Sequence, residues 1–192
     1  MRHAALAACL LTSAALAEEA NFTDGPPPNW KPTIGEWTVA DGVLTGREVA
    51  ADNHAAAGRW FIPIRDGRVA FRFRNVDAKA VNFGFDPAKG ELDKKGHLFS
   101  VVLTPEKAQV TLSRDKADEA SKNKRLAAAA VDLPKGEWHT VAVDFDGETA
   151  KITVGGQTLV ATDPQIRVKK TGLILRVSGG SVEFDDLVIA PE

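Results

Sequence analysis

Arg65-Asp66-Gly67-Arg68-Val69-Ala70-Phe71-Arg72-Phe73-Arg74 is the stretch from which the rest of the chain can be read. Val69, Phe71 and Phe73 alternate with Arg68, Ala70, Arg72 and Arg74. That period of two puts apolar side chains on one face of a strand and cations on the other. Asp66-Gly67 is a tight-turn dipeptide, which predicts a hairpin back to Trp60-Phe61-Ile62. The same pattern runs outward in both directions: Trp37, Val39 and Val43 flank Asp41-Gly42, and Val141, Val143 and Phe145 precede Asp146-Gly147. Ile152 and Val154 precede Gly155-Gly156, and alternating runs recur at Val81-Phe85, Phe99-Leu103, Val110-Leu112, Leu173-Val177 and Val182-Phe184. About twelve short strands spaced about 8 to 12 residues apart predict an all-β sandwich or barrel.

Three segments stand outside this pattern. Arg125 to Val131 contains four consecutive alanines, the best helix formers. A helix there would have only two turns before Pro134, so extended chain is expected. Lys116 to Arg125 is polar throughout and is expected to be an exposed loop or hairpin tip. Gly25 to Pro32 is proline-rich and is expected to form a rigid crossover that ties Phe22 onto the body.

The 192 residues are 44% hydrophobic and 26% charged, a globular composition, and the formal charge of −2 gives no attraction for nucleic acid or an anionic membrane surface. Met1-Arg2-His3, the apolar run Ala4 to Leu16 and the small residues of Ala15-Leu16-Ala17 have the layout of a signal peptide cleaved after Ala17. A membrane span needs about 20 apolar residues, and Glu18-Glu19 ends the run too early. Leu6-Ala7-Ala8-Cys9 also has the form of a lipobox, but only eight residues precede Cys9, too few for a full leader. The expectation is a single monomeric domain over 18–192, secreted or periplasmic, and held together by its core without disulfides.

There is no Gly-rich phosphate loop, no Cys or His pair at metal-finger spacing and no Gly-x-Ser-x-Gly elbow, so no cofactor and no metal is expected. Glycoside hydrolysis usually needs two carboxylates across a groove. The nearest approach to the glucanase strand motif Glu-x-Asp-x-x-Glu is Glu183-Phe184-Asp185-Asp186, with Val188 in the place of the second Glu. Glu183 and Asp185 therefore read as a solvated strand face. His139 alternates with core positions and is expected to pack. A groove containing Glu48, Asp52, His54 and His97 would supply acid–base groups or ligands for a cation, although His54 also fits an exposed loop and His97 a strand rim. Trp37 and Trp138 fall in core-like alternation, whereas Trp30 and Trp60 could each offer a ring face to a sugar. Arg72 and Arg74 could donate bidentate hydrogen bonds to a polar ligand.

Gly35-Glu36-Trp37-Thr38-Val39-Ala40-Asp41-Gly42-Val43-Leu44, the Glu48 to Ala55 segment, Gly96-His97, Gly136-Glu137-Trp138-His139-Thr140 and Val182-Glu183-Phe184-Asp185-Asp186-Leu187 together resemble the 3-keto-disaccharide hydrolase-like family, often grouped as family 16 glycoside hydrolase-like. The resemblance spans Phe22 to Ile189. It implies a concanavalin A-like jelly-roll sandwich of two antiparallel sheets, with sugar on the concave face. Combined with the Glu48, Asp52, His54 and His97 cluster, it leads to the expectation of glycosidic-bond cleavage with His97 or His54 as acid–base, Glu48 as carboxylate partner and Asp52 touching the sugar, and of Trp60, Arg72 and Arg74 as the glycan contacts where the domain only binds. The alternative is a carbohydrate-binding module without catalysis.

Overall fold

A computed structural model describes residues 16–192. The leader up to Ala15 and the lipobox Cys9 lie outside the described residues. The strands are β1 (Glu18–Ala20), β2 (Trp30–Ile34), β3 (Glu36–Ala40), β4 (Val43–Arg47), β5 (Ala56–Trp60), β6 (Gly67–Asn75), β7 (Ala80–Phe85) and β8 (Phe99–Thr104). They continue with β9 (Lys107–Leu112), β10 (Lys124–Ala130), β11 (Trp138–Asp146), β12 (Thr149–Val154), β13 (Gln157–Thr162), β14 (Leu173–Ser178) and β15 (Ser181–Pro191). One sheet has the order β13-β12-β11-β6-β15-β4-β3, with β1 also paired to β15, and the other β10-β9-β8-β7-β14-β5-β2. All the pairings are antiparallel, which makes the molecule a two-sheet jelly-roll sandwich.

The alternation read in β6 is what joins the sheets. Val69, Phe71 and Phe73 are 1% exposed and point into the sandwich. Phe71 meets Phe83 of the facing sheet edge-on, with ring centroids 5.2 Å apart, and Phe145 meets Phe85 likewise at 5.0 Å. Such edge-to-face pairs add about 0.5–1.5 kcal/mol each beyond their buried area. Phe22 is buried beneath the proline crossover, as its sequence context predicts.

Two turn assignments came out differently. Asp41 and Gly42 both have positive φ, 52° and 73°, and close the β3–β4 hairpin as expected. Asp66-Gly67 forms no hairpin, because β5 lies in one sheet and β6 in the other. The dipeptide sets the local bend, but the apolar faces on either side decide which sheet each strand joins. The alanine run forms β10, extended along β9, so sheet pairing outweighs helix propensity there.

Trp60 is 1% exposed, and its indole Nε1 donates to the Pro28 carbonyl at 3.0 Å. Trp60 therefore anchors the crossover and offers no ring face to a ligand. Trp30 and Trp37 pack edge-on at 5.3 Å over two bare strand positions. A Cβ on Gly58 would come within 2.4 Å of Trp30, and one on Gly46 within 2.6 Å of Trp37. Among the described residues, no helix is long and apolar enough to cross a membrane.

Candidate functional site

The site lies on the outward face of the second sheet, where β5, β14 and β7 run side by side. Outward parity places Arg59 on β5, Ile174 and Arg176 on β14, and Asn82 and Gly84 on β7, with Arg59 and Gly84 both opposite Ile174. Ile174 is 1% exposed although it points away from the core, so its neighbours close over it. Asp86 continues the parity of β7 by one step into the loop that leads to β8.

Asp86 is the hub of this cluster. Arg59 Nη1 donates to its Oδ2 at 2.5 Å, and His97 Nδ1 lies 2.6 Å from its Oδ1. Carboxylate oxygens only accept, so Nδ1 carries the hydrogen and Nε2 is left as the free ring nitrogen. Burial works to raise the Asp86 pKa, but the hydrogen bonds from His97 and Arg59, reinforced by their charges, hold it below the ordinary carboxylate value. Burial pushes the Arg176 pKa down; Asp86 pulls it up and Arg59 lowers it further. Arg176 Nη2 is buried without a hydrogen-bond partner.

The loop Asp86–Leu98 is fixed in place by backbone bonds. Leu98 N donates to Phe85 O at 2.9 Å, Ala88 N to Lys169 O at 2.8 Å, and Thr171 N to Asp86 O at 3.0 Å. Lys94 Nζ donates to the Ser113 carbonyl at 2.7 Å and to Gln165 at 3.1 Å. The result is an open cleft of about 560 Å³, walled by Arg59, Phe61, Asp86, Lys89, Lys94 and Thr171 among others. Phe61 is 37% exposed, a large apolar ring at the edge of a polar wall.

Of the residues expected to act together, only His97 belongs to this cluster. Glu48 accepts from Gly179 N at 2.7 Å and donates its own N–H to Gly180 O. Gly179 follows Ser178, which pairs with Ala80 at the far end of β7 from Asp86. At about 3.3 Å per residue, that separates Glu48 from His97 by about 20 Å. Asp52 accepts from Gly35 N, and His54 is exposed with Nδ1 against the Ala55 carbonyl, so both shape the β4–β5 connection. The expected partnership of Glu48 with His97 is thus replaced by that of Asp86 with His97.

Arg72 and Arg74 are on the outward face of the other sheet, and the register of β6 against β15 matches each with a carboxylate. Arg72 contacts Asp185 and Asp186, each at 2.7 Å, and Arg74 pairs with Glu183. Both guanidiniums flank Trp138, 5.1 and 5.0 Å from its ring centroid. Glu183 and Asp185 are therefore partners in a cross-strand ladder, and all these charges are committed to one another. A second hollow, of about 510 Å³, lies between the proline crossover and β15 and includes Glu19, Asp24 and Asp186. Among the described residues, no cluster of His, Cys, Asp and Glu is arranged to hold a metal.

Asp86, Arg59, Arg176 and Phe61 were missed because each reads alone as an ordinary wet-face or loop residue. The available signal was Ile174, an apolar residue at an outward position two residues before Arg176 on the same strand.

The fold as a whole has well-defined relatives among solved structures. The carbohydrate-binding module CBM66 from Bacillus subtilis superposes with a TM-score of 0.64 at 10% identity, covering 83% of this chain and 93% of its own. A β-glucanase of Bacillus licheniformis gives 0.62 at 13% identity, with 92% and 98% covered. The Crh5 transglycosylase in complex with NAG gives 0.64 at 13% identity, with 93% and 85% covered. No family model and no curated protein matches the sequence. The protein shares the two-sheet jelly-roll fold of these structures.

Proposed function

We propose that the protein is an exported carbohydrate-binding sandwich and that the cleft walled by Phe61, Arg59 and Asp86 is its sugar site. The observation that supports this most is the pairing of an exposed ring with a prearranged set of hydrogen-bonding groups. Phe61 provides an apolar surface for a pyranose face, and the Arg59 guanidinium and Asp86 carboxylate of the same wall provide partners for hydroxyls. The relatives just described, a carbohydrate-binding module and a transglycosylase holding NAG, support the same ligand class. A two-carboxylate hydrolase is less well supported, because Asp86 is the only carboxylate in the cleft wall and it is engaged by Arg59 and His97.

One observation favours a second reading, hydrolysis of the 3-keto-disaccharide type. With Nδ1 fixed by Asp86, His97 is oriented as a general acid–base would be. Incubating the purified protein with a panel of glycans and 3-keto-disaccharides tests both. Binding without turnover, weakened by Phe61→Ala, supports the module. Turnover that falls about a hundredfold in His97→Ala supports the enzyme. Neither binding nor turnover would overturn both.

A further inference from the structure

We infer that the saccharide taken by this cleft is acidic, a uronic acid whose carboxylate faces Arg59 while its ring lies on Phe61. This rests on the sugar-site reading and specifies its ligand. The chain as a whole carries a formal charge of −2, yet the cleft wall sets Arg59 and Lys89 against the single carboxylate Asp86, while Lys94 spends its Nζ on Ser113 O and Gln165. Lys31 adds another cation, its Nζ 5.8 Å from the Phe61 ring centroid. Arg176 lies behind this wall in the same electrostatic cluster, so two guanidiniums share one carboxylate.

This balance differs from that of the opposite face. There each arginine meets its own carboxylate in register, Arg68 with Asp144, Arg72 with Asp185, and Arg74 with Glu183. The cleft has excess positive charge in a half-buried setting where water screens it less. Its side chains are mostly donors. A neutral sugar presents hydroxyls that both donate and accept, whereas a carboxylate only accepts and offers two oxygens to a guanidinium fork. A ring bearing one carboxylate therefore satisfies both parts of the wall at once.

The test is titration of the purified protein with a galacturonate trimer, its methyl ester and a neutral glucan trimer, at low and high salt. The acidic trimer is expected to bind about tenfold or more tightly than its methyl ester, and to weaken as salt rises. Lys89→Glu, an exposed charge reversal away from the Asp86 hub, is expected to weaken only the acidic trimer, with an unchanged unfolding midpoint. Arg59→Gln is expected to abolish the preference for the acid over the ester. Equal affinity for acid and ester, or affinity insensitive to salt and to Lys89→Glu, overturns the inference and leaves the sugar site standing. No binding to any of the three, or to the wider glycan panel, overturns the sugar site itself.

Discussion

Asp86 shows how one residue sets the site. Burial alone would favour its neutral form, but the two hydrogen bonds and two charges facing it prevail and keep it ionised. Because its pKa in the fold lies below the ordinary 3.8, the carboxylate stabilises the fold above that pH, and the contribution is lost as pH falls through the folded value. Asp86→Asn should therefore lower stability at pH 7 by about 1–3 kcal/mol, since it leaves Arg59 and Arg176 without their counter-charge, and should narrow the gap to wild type below pH 4. Urea denaturation at the two pH values measures this. Lys170 has the opposite sign. It is fully buried, donates from Nζ to Arg65 O at 2.5 Å and lies 4.1 Å from the Phe145 ring centroid. Burial pushes its pKa down to about 8; Asp66 and Glu91 pull upward and Arg65 pushes downward. The folded value is below the ordinary 10.5, so the fold bears the full penalty of the charged amine below pH 8 and is relieved as pH rises from 8 towards 10.5. Wild type should gain stability relative to Lys170→Met across that window, as denaturation midpoints at pH 7.5 and 9.5 would show. No sequence pattern distinguishes these two residues, because what shifts them is contributed by other segments of the chain, such as Arg59 on β5 and Asp66 before β6.

At the level of strands, period-two alternation identified the core face of β6, β7, β8, β11 and β14, and positive φ at Asp41-Gly42 bears out the β3–β4 hairpin. Alternation specifies which side of a strand is buried and says nothing of which strand lies beside it. That is why Asp66-Gly67 read as a hairpin, and why Arg72 and Arg74 read as ligand donors when Asp185 and Glu183 pair with them across β15. The site depends on strand neighbours in the same way, since β5, β14 and β7 are far apart in sequence and adjacent in the sheet. Gly84 lies on β7 between Ile174 of β14 and Ser100 of β8, where an added Cβ would come within 2.7 Å of the Phe99 carbonyl. Gly84→Ala should therefore force β7 and β8 apart and cost about 1–3 kcal/mol, measured by thermal or urea unfolding. An unchanged midpoint would mean that the two strands shift freely.

For the whole molecule, the two outward faces have different electrostatics on one scaffold: a charge-balanced ladder over one sheet and a cationic cleft with an exposed ring over the other. The first strand begins at Glu18, the residue that cleavage after Ala17 would leave as the new N-terminus. Export by the proposed leader predicts that the protein recovered outside the cytoplasm has Glu18 as its first residue; an N-terminus at Cys9 carrying lipid would contradict this. The central claim is that sugar binds at the Phe61–Asp86 cleft, and calorimetric titration of a responding glycan against wild type, Phe61→Ala and Arg74→Ala tests it most directly. The account predicts that Phe61→Ala weakens binding about tenfold or more while Arg74→Ala stays within about twofold of wild type. The reverse pattern, with Arg74→Ala losing affinity and Phe61→Ala retaining it, would move the site to the opposite sheet and contradict the account.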